Sequence, residues 1–376
     1  MLYCKSCLQP DTRPNTKFRE GICPACLNSN SSSEINWEHR KKELDQIVDF
    51  GRKNNDSGYD CIIGVSGGKD STRQAIFVKN KLKMNPLLIC LSPPPQEVSQ
   101  RGVENLSNLI NKGFDCITIN PAPETWKKLM YISFYKYLNP FKSTELALHG
   151  SVPRFAIAYQ IPLIWWGENP ATQVGDSKVM GETGYDGNQL KKMNTLNGGD
   201  ISWIINKGFS SKDIHQYKFP SEIEMKRANL KTVFLGYFWR DWSIVNNGDY
   251  SALRGLDVRS DKPWEMGDHL GIMALDEDWT PMNQMLKFLK FGFGRTTEIV
   301  NDEIRNKKLS REDGIKLVKL YDGKCSDKYI KSFCEFIEIE TNEFWRVVED
   351  RCLNRKLFKK ISQGVYEPKF KVGIGL

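Results

Sequence analysis

No uninterrupted apolar run in this chain approaches the roughly 18 residues that a membrane-spanning helix requires. The opening residues, Met1-Leu2-Tyr3-Cys4-Lys5, carry no apolar stretch behind a basic start, so they do not read as a secretory signal. The expected compartment is the cytoplasm, where ten cysteines stay reduced and disulfides do not form. A strong charge of one sign is also missing, since 54 basic residues against 46 acidic ones leave a formal +8. That mild excess suits a polyanionic ligand of any kind and selects none. Basic residues do gather at Arg351, Arg355, Lys356, Lys359 and Lys360, where a solvated helix face is the ordinary explanation. Histidine is scarce, at four residues. What the chain has is length and core: 376 residues, two-fifths of them hydrophobic. That suffices for two or three domains, or for one α/β domain with additions at both ends.

Cysteine is arranged rather than abundant. Cys4 and Cys7 form one Cys-x-x-Cys pair, and Cys23 and Cys26 form another fifteen residues later. This is zinc-ribbon spacing, in which two tight turns each supply two thiolates to a tetrahedron. The segment is too short for a core of its own, so bound metal would stabilise its fold. Four thiolates leave no open position, so the expected zinc is structural rather than catalytic. The remaining cysteines are scattered, several in apolar strand-like runs, and core packing is their default. Asn28 to Glu34 is polar and serine-rich, a candidate linker. Helical spacing resumes from Trp37 to Arg52.

Tyr59 to Val65 is a short apolar run of the kind that forms a buried parallel strand. Ser66-Gly67-Gly68-Lys69-Asp70-Ser71 follows directly, and an amphipathic helix continues through Ala75, Ile76, Val78 and Leu82. Strand, glycine loop and helix in that order aim backbone N–H groups at an anion. The glycines let the backbone approach phosphate closely. Lys69 is expected to add a mobile charge, Ser66 and Ser71 to donate hydroxyl hydrogen bonds, and Asp70 to engage magnesium or orient the loop. A Walker A loop does not fit, because Gly64 to Lys69 is one residue short and aspartate follows the lysine. Alternating strands and helices follow: strands at 86–92, 114–120 and 162–166, and helices near 97–112, 124–137 and 144–159. The expected fold is a doubly wound parallel sheet, with ligand at the carboxyl ends of its strands.

The six-residue loop resembles the PP-loop of the ATP pyrophosphatases, which include GMP synthetase, asparagine synthetase and tRNA thiolation enzymes. That resemblance implies a Rossmann-like domain of the adenine nucleotide alpha hydrolase type. It also implies adenylation of a substrate oxygen with loss of pyrophosphate. ATP would lie against Val65, Ser66, Gly67, Gly68, Lys69, Asp70, Ser71 and Leu91, with magnesium. Trp165-Trp166-Gly167-Glu168-Asn169-Pro170 ends the 162–166 strand. Glu168 is a candidate magnesium ligand and Asn169 a candidate hydrogen-bonding group, against the plain reading of a capped loop. The glycine-dense stretch from Gly181 to Gly199, with Glu182, Tyr185 and Asp186, reads as a lid or substrate loop, or else as disorder.

Over nearly its whole length the chain resembles the N-acetyl sugar amidotransferases of the WbpG/PseA type. The match rests on the four-cysteine ribbon, on Gly167-Glu168-Asn169-Pro170, and on a C-terminal block. That block contains Gly294-Arg295-Thr296-Thr297, Glu303-Ile304-Arg305, Leu309-Ser310-Arg311-Glu312-Asp313 and Leu320-Tyr321-Asp322-Gly323. The resemblance implies three parts: a ribbon at 1–34, a PP-loop domain with an inserted substrate loop at 35–280, and a helical region at 281–376. It implies conversion of a sugar acetamido group to acetamidino, with release of AMP and pyrophosphate, in O-antigen lipopolysaccharide or flagellin-sugar synthesis. Lys69, Asp70, Glu168 and Asn169 would serve that reaction. The acceptor would be an N-acetylated sugar or sugar nucleotide. No glutaminase is visible: residue 2 is leucine, and His39, His149, His215 and His269 lack a triad setting. A separate HisH-like glutaminase, with or without a HisF-like protein, is the implied ammonia source, free ammonia being the alternative. Trp239, Trp242 and Trp264 suit an interface, a sugar platform or plain core packing.

Two rivals follow from the same residues. A tRNA-modifying PP-loop enzyme suits the ribbon and the basic balance. Thiolation needs a reactive cysteine near the loop, however, whereas Cys90 and Cys116 are isolated within apolar runs. A binding module that keeps ATP only structurally is the non-enzymatic alternative, and the intact loop argues against it.

Overall fold

The computed structural model describes all residues except 31–34, 96, 168, 180 and 182. The chain runs α1 (Pro24–Asn30), α2 (Trp37–Lys53), β1 (Cys61–Val65), α3 (Lys69–Asn80), β2 (Pro86–Leu91), α4 (Gln100–Ile110) and β3 (Asp115–Ile119). It continues through α5 (Pro123–Tyr137), α6 (Lys142–Ala158), β4 (Leu163–Trp166), α7 (Pro170–Gln173), α8 (Ser202–Ile205), α9 (Glu222–Arg227) and β5 (Lys231–Phe234). The rest is α10 (Ile244–Ala252), α11 (Pro263–Met266), α12 (Thr280–Phe291), α13 (Arg295–Arg305), α14 (Arg311–Tyr321), α15 (Asp327–Ile337), α16 (Thr341–Val347), β6 (Phe358–Ser362) and β7 (Val365–Pro368). None of the described helices is long and apolar enough to cross a membrane.

The five-stranded sheet is parallel, in the order β3-β2-β1-β4-β5. Strand order therefore reverses between β1 and β4, and the carboxyl ends there form the crevice where doubly wound folds bind ligands. Side chains alternate across β1. Cys61, Ile63 and Val65 join Ala75, Ile76 and Val78 of α3 and Leu44, Ile47 and Val48 of α2 in one core. Ile62 points to the other face, into a core with Leu129, Met130 and Phe134 of α5 and Leu146 and Val152 of α6. Strands buried on both faces need apolar runs rather than alternation, which is why their sequences read as continuous.

The C-terminal helices share that second core. Phe134 of α5 stacks on Phe344 of α16 with centroids 5.2 Å apart, and meets Phe333 of α15 edge-on at 5.7 Å. Met282, Leu286 and Leu289 of α12 belong to the same cluster. The region expected to be helical also ends in an antiparallel hairpin, β6–β7, joined across Gln363-Gly364 with Gly364 at φ +74°. The lysines of that basic cluster lie partly on this hairpin, and Lys360 pairs with Glu349.

β5 was not expected from the sequence. Its four residues pair with β4 and also bridge Asp186 of the glycine-dense stretch to Val233. That stretch is pinned rather than loose: Gly187 N–H donates to Thr232 O at 2.7 Å, and single 3₁₀ turns form at 190–192 and 197–199.

Candidate functional site

The phosphate loop lies at the carboxyl end of β1, where β2 and β4 flank it. Val65 pairs with Cys90, so Leu91 stands level with Ser66. Ile63 pairs with Trp165, so Trp166 stands level with Gly64. Gly67 takes φ +79°, a conformation an L side chain resists, and a Cβ there would lie 2.7 Å from Leu106 N of α4. Gly68 is the N-cap of α3 and makes no side-chain cap bond. The first-turn N–H groups of α3 thus have neither an intrahelical partner nor a cap, and they carry the positive end of the helix dipole. That arrangement holds an anion.

The residues after the glycines behave differently from the expectation. Lys69 is only 3% exposed, and its ammonium closes a 2.5 Å ion pair with Asp70 Oδ2. It is a fixed charge, not a mobile one. Asp70 Oδ1 accepts from Asn247 Nδ2 at 2.6 Å. Asn247 Oδ1 accepts in turn from Arg73 at 2.7 Å, and Arg73 pairs with Asp241 at 2.8 Å. Ser251 Oγ donates to Lys69 O at 2.8 Å. α10 thereby clamps the first turn of α3, and both Asp70 oxygens are engaged, one by Asn247 and one by Lys69. Asp302 lies within the field of Lys69 and Asp70, and its carboxyl is raised, first by burial. Ser71 Oγ donates to Gly68 O at 3.1 Å, and Ser66 Oγ accepts from Gly68 N–H at 3.4 Å. Asn247 and Ser251 escaped the sequence reading because α10 follows the loop by some 180 residues.

Beyond β4, Glu168 lies outside the described residues, as does Glu182. Asn169 Nδ2 donates to Gly184 O at 3.0 Å, joining the Gly-Glu-Asn-Pro turn to the glycine-dense stretch. Gly167 O accepts from Gly236 N–H after β5, and a Cβ on Gly167 would lie 2.8 Å from Gln74 Oε1. Trp239 is half-buried and packs at a tilt against Phe77, with centroids 4.2 Å apart, whereas Trp264 is 55% exposed.

A cavity of about 510 Å³ opens at the same edge, on the α5–α6 face. Leu91 and Trp166 line it at the strand ends. The Trp166 ring lies so close to Gly64 that a Cβ there would sit 2.8 Å from it. The cavity therefore begins one residue from Val65. α6 contributes His149, whose Nδ1 lies 2.9 Å from Glu145 O. A carbonyl only accepts, so Nδ1 carries the proton and Nε2 is bare. Burial holds His149 at about 4, neutral at physiological pH, and raises Glu145. Glu97, also lining the cavity, is pushed by burial to about 8. The far wall is α12 and α13, with Gln284 and Arg295. Arg295 belongs to the Gly294-Arg295-Thr296-Thr297 block. Its neighbour Thr297 is tied by Oγ1 to the buried Asp322 at 2.6 Å, which also accepts from Gly294 N–H at 2.7 Å. Two separated pieces of the block thus make one corner.

The four N-terminal cysteines converge. Their sulfurs all lie within 4.8 Å of one another, and all four residues are buried. Cys7 and Cys23 sulfurs are 3.7 Å apart. Tetrahedral thiolate coordination at about 2.3 Å implies a sulfur–sulfur edge of about 3.8 Å. Backbone N–H groups of Gln9 and Cys23 donate to Cys7 and Cys4 sulfurs, at 3.4 and 3.2 Å. Such donors suit anionic sulfur, so the residues fit a metal ion. Arg311 of α14 bonds to Cys4 O and Cys7 O, joining this centre to the C-terminal block. Four thiolates would leave no open position on such an ion.

Two outcomes test these assignments. Gly67→Ala should abolish measurable ATP binding in calorimetry while the far-ultraviolet spectrum is kept; unchanged affinity would remove the loop from the site. Purified protein should carry close to one equivalent of tightly held metal by elemental analysis. Cys23→Ser should lose it and lower the melting temperature by several degrees; a metal-free wild type of full stability would overturn the centre.

Residues 272–370 match the model of the LPS biosynthesis protein WbpG-like C-terminal domain. A stretch of 110 residues is 32% identical to the uncharacterized protein MJ1599 of Methanocaldococcus jannaschii, covering 29% of this chain and 38% of that protein. Among solved structures, NH3-dependent NAD synthetase from Campylobacter jejuni aligns with 50% of this chain and 99% of its own, at 16% identity and TM-score 0.29. NMN synthetase from Francisella tularensis aligns with 52% of this chain and 92% of its own, at 17% identity and TM-score 0.28. The U34-tRNA thiolase NcsA from Methanococcus maripaludis aligns with 61% of this chain and 71% of its own, at 14% identity and TM-score 0.27. Residues 272–370 are therefore similar to a WbpG-like C-terminal domain, and they follow a Ser-Gly-Gly-Lys-Asp-Ser loop set at the junction of strand β1 and helix α3.

Proposed function

We propose that the protein is an ATP-dependent amidotransferase that turns a sugar acetamido group into an acetamidino group. One observation carries this reading: the WbpG-like domain supplies a wall of the cavity that opens beside the phosphate loop. A triphosphate loop and an amide pocket must lie together for adenylation, and here Trp166, which lines the cavity, packs against Gly64, two residues before the loop.

The amide oxygen attacks the α-phosphorus and pyrophosphate leaves, giving an O-adenylyl imidate. Ammonia adds to the imidate carbon, loses a proton, and AMP departs with the former amide oxygen. An amide oxygen is a poor leaving group until AMP carries it away. The chain's part is to hold both reactants and to stabilise charge. The α3 N–H groups and the Lys69 charge would lie on the side of the phosphates, and magnesium would reach Asp70 only by displacing its contact to Lys69 or Asn247. That ion, when bound, would neutralise the triphosphate oxygens. The four-cysteine centre would hold zinc as a structural ion. Ammonia would come from a HisH-like glutaminase, with or without a HisF-like protein, and the product would enter lipopolysaccharide or flagellar sugar synthesis in the cytoplasm.

The tRNA-thiolation reading would need a reactive thiol, and the cysteines of β1, β2 and β3 are poor candidates. Burial raises Cys61, Cys90 and Cys116 above the ordinary thiol value, and thiols of that kind are unreactive.

Incubation with ATP, magnesium, ammonium and free or nucleotide-linked N-acetyl sugars should release AMP and an amidine in equal amounts. Asp70→Ala should reduce that rate by 100-fold or more, the scale seen on losing a main charge-stabilising group (~10²–10³). AMP release without amidine, or full activity in Asp70→Ala, would overturn the reading.

A further inference from the structure

The cysteine ribbon reaches α13 twice. Leu8 follows Cys7 directly, is fully buried, and donates its backbone N–H to Asn301 Oδ1 of α13 at 2.7 Å. The turn that presents this N–H is the one the cysteines shape. Gln9 N–H donates to Cys7 Sγ there, and Cys4 N–H donates to Gln9 O at 2.8 Å. The Leu8 side chain lies where α13 packs on α14, since a Cβ on Gly314 would meet Val300, Ile304 and Leu8 together. Arg13 makes the second tie, pairing with Glu298 of α13 at 2.7 Å. A segment too short for its own core takes its geometry from the metal it binds, so both contacts would depend on that ion.

The next residue of α13 turns elsewhere. Consecutive residues of an α-helix diverge by about 100°, so Asn301 and Asp302 address different neighbours. Asp302 is 7% exposed, and its Oδ2 accepts from the N–H of Ile244, the first residue of α10, at 2.9 Å. A carboxylate there also suits the positive end of the α10 dipole. Lys308, just past α13, donates to Asn246 Oδ1 of α10. Asn247 and Ser251, one turn apart on α10, hold Asp70 and the Lys69 carbonyl. Successive hydrogen bonds thus join the cysteine turn to α13, α13 to α10, and α10 to the phosphate loop. Two adjacent residues of α13 serve the first two joints.

We propose that Asn301 and Asp302 are positioning residues that couple the four-cysteine cluster to the phosphate loop, so that metal held by Cys4, Cys7, Cys23 and Cys26 tightens the binding of magnesium–ATP. Asn301 registers the fold of the cysteine turn, and Asp302 passes it to the start of α10. Coupling between two binding sites is reciprocal, so ATP also tightens the hold on the metal. The inference concerns the nucleotide alone and does not depend on which acceptor is adenylated.

The test uses the full chain loaded with metal, the same chain depleted by a chelator and desalted, and the variants Asp302→Ala and Asp302→Asn. Calorimetry gives the affinity for magnesium–ATP, and near-ultraviolet spectra report the fold. Competition with a chromogenic chelator, with and without ATP, gives the affinity for metal. Depletion should weaken ATP roughly 5- to 20-fold, the lower part of the range for coupled sites. Asp302→Ala should weaken ATP by a similar factor with metal still bound, and depletion should add little more in that variant. Asp302→Asn keeps an acceptor for the Ile244 N–H and should stay within about threefold of wild type. Saturating ATP should tighten metal in wild type and leave Asp302→Ala unaffected. The proposal is overturned if depleted and loaded protein bind ATP equally, if Asp302→Asn binds as weakly as Asp302→Ala, or if depletion and Asp302→Ala weaken ATP independently. Should depletion unfold the chain, metal affinity of the loaded protein decides, and no tightening by ATP overturns the coupling. A metal-loaded wild type that binds no ATP would remove the loop assignment together with the proposal.

Discussion

The structure depends on holding the first turn of α3 still while leaving its N–H groups uncapped. Those demands conflict, because a side chain that caps a helix start also blocks an anion from it. Gly68 resolves the first half by offering nothing to cap with. α10 resolves the second, through Asn247 on Asp70 and Ser251 on the Lys69 carbonyl, with Arg73 and Asp241 bracing Asn247. The loop is thus positioned from outside rather than by its own side chains. Lys69, buried and paired, adds a constant field instead of a swinging arm.

The rest of the chain is arranged about that turn. Reversal of strand order next to β1 leaves a crevice at the loop. Gly64 lets the Trp166 ring lie against β1, so the cavity begins where the phosphate site ends. Helices α12 to α16 pack through Phe134, Phe333 and Phe344 onto α5, and so bring Gln284 and Arg295 over the α6 face. The cysteine centre reaches the same block through Arg311. The four-cysteine cluster is thus fastened to the block that walls the pocket, to which its cysteines contribute nothing directly.

Much of this was legible in the sequence for identifiable reasons. Buried parallel strands are continuous apolar runs, so β1 to β4 stood out, and the Ser-Gly-Gly start of α3 has few other uses. The cysteine spacing carried its own geometry. β5 did not stand out, because Lys231-Thr-Val-Phe is four residues long and earns its place only by pairing with β4. The β6–β7 hairpin is largely exposed and lacks an apolar face. Lys69 read as mobile because its burial, and the hold of α10 on the Asp70 it pairs with, come only with folding. The cavity was invisible for a similar reason: Thr144 and Gln284 are ordinary polar residues on helices, and only folding turns them to a common space. Arg295 was singled out as part of a block, without its direction.

In the proposed reaction the acceptor's amide oxygen becomes an oxygen of AMP. An acceptor labelled with oxygen-18 in its acetamido carbonyl, turned over with ATP, magnesium and ammonia, tests it directly by mass spectrometry of the products. One labelled oxygen is expected in the phosphate of AMP and none in pyrophosphate. Label in pyrophosphate or inorganic phosphate, or unlabelled AMP formed alongside amidine, would contradict it.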